Sequence, residues 1–226
     1  MNAVIERARS SWLLAFGDVI TLLLTFFIVV VVMNKSDISK IEKWVDLQLN
    51  SSYQQLEAER QQQGFQLVTI QREPRGILLT IAGDNSFQSG AYIPSEQLDS
   101  ELKSLGKILA KTHILNTGNS EELMTVIQRA REDGMVWSAE IVVQGHTDND
   151  WVDPESRLRN NFFLSTLRAE SVMRLLQEYS DLNPRYFAIS GYGEWQPIHS
   201  NETAEGKRKN RRIEVLITAS FKQIQG

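Results

Sequence analysis

The chain has no cysteine at any of its 226 positions. That excludes disulfides and thiolate metal sites, and leaves the redox compartment open. Histidine is nearly as scarce: His113, His146 and His199 lie far apart with no i, i+4 pair, so a metal centre of the usual ligand count is not expected, and His146 reads as structural. There is no glycine-rich phosphate loop and no G-x-S-x-G turn, and Asp84, Asp148 and Glu214 form no recognisable acid/base pair. The expectation is a non-enzyme without a cofactor. Basic residues number 24 against 28 acidic ones, a net charge of −4 with no basic tract, which gives no reason to expect nucleic acid as a partner.

What the chain does have is one carboxylate in an apolar run. From Trp12 to Met33 the only acid is Asp18. Such a stretch rises about 33 Å as a helix, enough for a hydrocarbon core of about 30 Å. An Asp near the middle of a spanning helix costs about 2.5–3.5 kcal/mol on insertion scales, so its default reading is functional. At 100° per residue Ser11, Asp18, Thr21 and Thr25 share one stripe, while Phe16, Ile20, Leu23 and Phe27 project from the other side. The apolar core is too long for a cleaved signal peptide, and no small-x-small pattern precedes Asn34, so the helix should stay attached. The flanking charges, Arg7 and Arg9 on one side and Lys35, Lys40 and Lys43 on the other, do not set an orientation.

From Asp37 to about Gln63 the pattern is a polar helix with a thin apolar stripe of Ile38, Ile41, Val45 and Leu49, ended by Gly64. Spacing alone makes it a solvated connector or a self-associating helix; a sharper alternative has residues 38–49 blocking a channel until released. After Leu67 strand and helix alternate. Strands are expected at Ile77–Ile81, Glu140–Gln144, Tyr186–Ser190 and Arg212–Thr218. Helices are expected after Pro94, from Ser120 to about Arg131, and over Asn161–Tyr179. This βαβαββ-like order predicts an α/β sandwich with helices over a mixed sheet.

Four blocks then carry a resemblance: Gly145-His-Thr147-Asp148, Asn161-Phe-Phe-Leu164-Ser-Thr-Leu-Arg168-Ala169, Gly191-Tyr-Gly193, and Asn210-Arg-Arg-Ile-Glu214. In this order they look like the successive motifs of the OmpA-like peptidoglycan-binding domain. With the Trp12…Phe16-Gly17-Asp18-Val-Ile-Thr21 span, the chain resembles the MotB/PomB family of stator subunits. ZorB-like subunits of the Zorya phage-defence system share the plan.

The resemblance implies a layout: a short cytoplasmic N-terminus over 1–11, a transmembrane helix over 12–33, a periplasmic helical linker or plug over 34–64, and an OmpA-like domain over 65–226. It implies a bacterial inner-membrane protein whose span dimerises inside a ring of MotA/PomA/ZorA-like multi-span subunits. Asp18, with Thr21, would bind and release a proton or a sodium ion. In the C-terminal domain Asp148 and Arg168 match the positions that would hold the ammonium and the carboxylate of diaminopimelate in the peptidoglycan stem peptide, with Thr147, Asn161 and Leu164 lining the pocket. On the residues alone, Asp148 could instead cap a turn and pair with Arg168 as an internal ion bridge, and the whole chain could be a passive envelope tether. Departures from the family pattern are the long acidic loop between Asp148 and Asn161, the extra stretch from Thr117 to Trp137, and Gly17 in place of alanine.

Overall fold

The computed structural model describes residues 2–88, 91–117 and 120–224, with the side chains of 2–11 and 33–40 excepted. The side chains of Arg7, Arg9, Ser11, Lys35, Ile38 and Lys40 therefore lie outside the described residues. The chain divides into two units, Met1–Trp44 and Val45–Gly226.

The first unit is helical. Helix α1 runs Asn2–Gln63, and its segment Trp12–Val32 is long and apolar enough to cross a membrane, with a mean hydropathy of 2.6. Two hydroxyls in it turn back on the helix itself. Thr21 Oγ1 donates to the carbonyl of Asp18 at 2.8 Å and Thr25 Oγ1 to that of Leu22 at 2.9 Å. Such bonds satisfy a hydroxyl where water is absent.

The second unit begins inside α1. Val45, Leu49, Ser52 and Leu56 are buried, spaced so that they fall on one helix face. From Val45 onward the connector is thus packed within the second unit, where spacing alone left a solvated connector or a self-associating helix. Arg72 fixes them further, donating to Asn50 Oδ1 at 2.9 Å and pairing with Asp46. Gly64, at φ +67°, takes the left-handed turn that stops the helix.

Next come β1 (Val68–Glu73), β2 (Gly76–Ala82), α2 (Glu96–Lys111), α3 (Glu121–Glu132), β3 (Met135–His146), α4 (Asn161–Ser180), β4 (Phe187–Gly193), α5 (Ala204–Asn210) and β5 (Arg212–Gln223). The sheet order is β1-β2-β5-β3-β4, with β3 and β4 parallel and the other neighbours antiparallel. It is the mixed sheet with packed helices that the pattern predicted. Three details differ. Strand β1 was not anticipated, because Gln71-Arg72-Glu73 break the apolar alternation. The short α5 was not anticipated either. Strands β3 and β5 run well past the expected 140–144 and 212–218, forming a ribbon in which Met135 pairs with Gln223. There the Trp137 ring meets Phe221 edge-on at 5.0 Å, and Trp137 Nε1 donates to the carbonyl of Ile114 at 3.2 Å.

The helices start where the sequence supplies caps. Ser95, Ser120 and Asn160 each accept a backbone N–H three residues on, from Leu98, Leu123 and Phe163. The fully buried core joins Ile77, Leu79 and Ile81 of β2, Ile141 and Val143 of β3, Val215 and Ile217 of β5, and Leu102, Leu105, Leu109, Val172 and Leu176 of α2 and α4. Burial of each such side chain is worth about 1.5–3 kcal/mol.

Helix α4 lies on β3 and β4, and two motif glycines set how closely. A Cβ on Gly145 would stand 2.0 Å from the Ser165 carbonyl oxygen, and one on Gly191 would stand 2.0 Å from Thr166 Oγ1. The motifs are therefore packing surfaces that draw the start of α4 onto the end of the sheet.

Candidate binding cleft

That close approach brings the end of β3 and the first turns of α4 to one place. His146, Thr147 and Asp148 leave the strand as Asn161, Leu164 and Arg168 arrive from the helix. Thr147, Asp148, Asn161, Leu164 and Arg168 line a single cleft of about 730 Å3, together with Asp84, Phe87, Trp151 and Arg211.

The polar groups of the cleft are arranged around charge. Asp148 is buried. One of its oxygens, Oδ1, accepts from the Asp150 N–H at 3.2 Å, the other from Arg211 Nη1 at 2.6 Å. Arg211 Nη2 reaches Asp84 Oδ1 at 2.7 Å. Asp148 thus caps a turn, and its cation is Arg211; an internal Asp148–Arg168 bridge is not formed. Although burial works against it, hydrogen bonds to Asp84 and Asp148 hold the Arg211 guanidinium above its ordinary value.

Arg168 stands differently. Its Nε donates to the Ala91 carbonyl at 3.0 Å, and its guanidinium lies 5.0 Å over the Phe87 ring. Among the described residues no ion pair involves it and no hydrogen bond engages its Nη groups. Burial first, then the positive charge of Arg211, pull it below its ordinary value, with Asp148 opposing. It is a held, partly desolvated cation whose terminal donors face the cleft without an anion.

Asn161 contributes by tying loops. Its Nδ2 donates to the Asp150 carbonyl at 2.9 Å and to Glu194 Oε2 at 2.7 Å. Lys207 pairs with Asp150 at 2.6 Å. Leu164 is buried and supplies an apolar wall. The Asp150 N–H, two residues past Asp148 along the chain, is spent on the Asp148 carboxylate.

Sequence reasoning missed Arg211, Asp84 and Phe87 as cleft residues. The available signal was the Asn210-Arg211-Arg212 run. Its members separate: Asn210 is buried and holds the loop between β4 and α5, its Oδ1 accepting from the Ile198 and His199 N–H groups at 2.9 and 3.0 Å. Arg211 enters the cleft. Arg212 is buried and bonds Glu214 Oε1 at 2.6 Å.

His146 sits under the cleft, stacked on Tyr192 at 5.2 Å, both ring nitrogens buried without a hydrogen-bond partner and Nε2 3.8 Å from Glu214. Burial, reinforced by Arg212 and opposed by Glu214, lowers its pKa to about 4. The unfolded chain protonates this residue near pH 6.5, so below that pH the unfolded state binds more protons than the native one and stability falls. The thermal midpoint should drop as pH is lowered from 6.5 toward 4, and His146→Phe, which keeps a ring on Tyr192 but cannot titrate, should flatten that slope. An unchanged slope in the variant would show the imidazole is not neutral in the fold.

The fold is thus an α/β sheet whose strand end and helix start form a cleft holding one engaged carboxylate, Asp148, and one guanidinium, Arg168, whose Nη donors make no hydrogen bond among the described residues. The OmpA family matches residues 93–211, and Membrane MotB of proton-channel complex MotA/MotB matches residues 4–47. Motility protein B of Bacillus subtilis is 28% identical over 94% of this chain and 92% of its own length. Among solved structures, a putative MotB-like protein from Desulfovibrio vulgaris superposes with a TM-score of 0.59 at 20% identity, covering 78% of this chain and 93% of that one. The cell wall anchor of the T6SS from Pseudomonas aeruginosa gives 0.55 at 22% identity, covering 74% and 97%. The chain belongs to the OmpA family and is of the MotB type: a stator B-type chain with an OmpA-like C-terminal domain.

Proposed function

We propose that this chain is the B subunit of an ion-driven motor complex in the bacterial inner membrane, with its C-terminal domain in the periplasm gripping peptidoglycan. The observation that carries the wall-binding half is the state of Arg168: a guanidinium oriented by Ala91 and Phe87, flanked by a buried carboxylate, with its outer donors unengaged among the described residues. A stem peptide ending in diaminopimelate presents an ammonium and a carboxylate on one carbon. Arg168 offers the carboxylate a planar two-donor fork. Asp148 offers the ammonium an oxygen it already shares with Arg211, and Arg211 holds that carboxylate in place. Thr147, Asn161 and Leu164 close the sides.

The membrane half rests on Asp18. Its carboxylate and the lone pairs of Thr21 Oγ1, whose hydrogen is committed to the Asp18 carbonyl, form a small oxygen set suited to a proton or a sodium ion. The partners are MotA-like multi-span subunits around two copies of this chain, and the role favoured by the relative's name is motility; a defence motor of the Zorya type is the other setting. The chain itself catalyses no covalent step.

The test of the wall half is co-sedimentation of the full chain with purified sacculi. Asp148→Asn keeps the shape and the turn cap but removes the charge, and should lower retention about tenfold or more, the loss of one buried charge-assisted contact. Retention equal to wild type would place the wall contact elsewhere.

A further inference from the structure

The stretch from Thr117 to Trp137, which departs from the family pattern, helps build a second cavity at the opposite end of β3 from the cleft. It measures about 610 Å3 and is lined by Met135 to Ala139 in succession, together with Ile127 and Arg131 of α3 and Arg185 and Tyr186 just before β4. Side chains alternate along a strand, so consecutive residues cannot all line one face of a sheet. The cavity runs along the strand's edge.

That edge is open. β3 pairs with β5 from Met135 to His146, yet with β4 only from Ile141 onward. The chain before β4 does not continue the pairing, because Pro184–Tyr186 forms a tight 3-10 turn capped by Asn183. The Tyr186 and Phe187 N–H groups are spent inside that turn, on the carbonyls of Asn183 and Pro184. Gly134 sets the phase of the strand: its carbonyl accepts from the Ile224 N–H, at the end of β5, at 2.9 Å. Successive residues of such a ladder point their N–H and C=O groups to opposite sides. Met135 and Ala139 therefore turn theirs away from β5, into the cavity. No charged residue and no proline between Met135 and Ala139 blunts the edge. Arg131 and Arg185 flank it, both exposed. Among the described residues neither takes part in an ion pair, and Arg185 rests 5.2 Å over the Tyr186 ring.

These features define the occupant. A strand edge is answered along its length by another backbone, which makes the ligand an extended polypeptide. The two guanidiniums call for carboxylates. A second copy of this chain is disfavoured, because two-fold pairing through the same edge would set the arginines of both copies against each other. We propose that the open edge of β3 is the docking site of a partner protein, which adds an extended segment of about five residues in line with β4 and sets acidic side chains against Arg131 and Arg185. The inference is independent of the wall-binding reading.

The probe is fluorescein-labelled Glu-Val-Thr-Val-Glu, read by anisotropy on the full chain in detergent, beside the same peptide with lysine in place of glutamate. The glutamate peptide should bind about tenfold more tightly. Two forms N-methylated at alternate amides block one peptide edge each, and at least one should lose binding. In Arg131→Glu/Arg185→Glu the preference should reverse toward lysine, while co-sedimentation with sacculi stays at the wild-type level. Equal affinity for the two peptides, or binding of neither, overturns the proposal, as does full binding by both N-methylated forms. So does an unchanged preference in the double variant, or its loss of sacculi, which would assign the arginines to the wall. The native chain has no cysteine, so high-yield disulfide cross-linking between copies of Val136→Cys would make the edge a self-pairing surface and sink the partner reading too. A wild type that binds the glutamate peptide but ignores sacculi removes the wall reading and leaves the docking site standing.

Discussion

Asp18→Asn should bring ion-driven function to zero while leaving the protein inserted, dimeric and bound to its multi-span partner. The substitution is nearly isosteric, so packing along the span is preserved; what is lost is the ability to carry a charge and exchange it for a bound cation. The energies are of matching size. An Asp in the span carries a penalty of about 2.5–3.5 kcal/mol when ionised, and a cation crossing 100 mV releases about 2.3 kcal/mol. Occupancy by one ion is therefore enough to switch which helix contacts are preferred. The readouts are motility or defence in cells, and partner co-purification from membranes. A passive tether predicts no change in function, so an active Asp18→Asn protein would remove the motor reading and leave wall anchoring intact.

Arg168→Ala should abolish retention on sacculi with little change in the fold. The side chain leaves the eighth residue of α4, lines the cleft and is only partly buried. Its removal forfeits one hydrogen bond to the Ala91 carbonyl and a stacking contact with Phe87, together worth about 1–2 kcal/mol of stability. The ligand loses more: its carboxylate would enter a cleft with no fork to meet it, at a cost of about 3 kcal/mol, or roughly a hundredfold in affinity. Arg168→Lys is the informative companion. It keeps the charge but not the two parallel donors, and should recover only part of the binding. Full retention by Arg168→Ala would point to another pocket.

The residues themselves announced a good part of this molecule. Leu98, Leu102, Leu105, Ile108 and Leu109 recur at helical spacing and form the buried face of α2, and Ile77–Ile81, bounded by glycines, is the heart of β2. Tertiary partners decided the rest. Val45 and Leu49 sit on a stripe too thin to distinguish a solvated helix from a docked one; Arg72, far along the chain, supplies the docking. Val68–Glu73 is a strand because β2 presents a free edge to it, which no local pattern reveals. In the cleft, Asp148 and Arg168 were named through family motifs. Residue chemistry alone favoured pairing them with each other. Two consecutive arginines, Arg211 and Arg212, have the same local signal and opposite fates, because the chain enters β5 between them and alternation sends one to the cleft and the other inward.

The proposed function requires the cleft to read both charges at the far end of a wall peptide. Calorimetric titration of the full chain in detergent with two stem peptides tests it: one ending in diaminopimelate, the other identical but with lysine in that place. Lysine keeps the ammonium and lacks the second carboxylate. The diaminopimelate peptide should bind about a hundredfold more tightly, with the difference disappearing in Arg168→Ala. Equal affinity of the wild type for both peptides would contradict the claim.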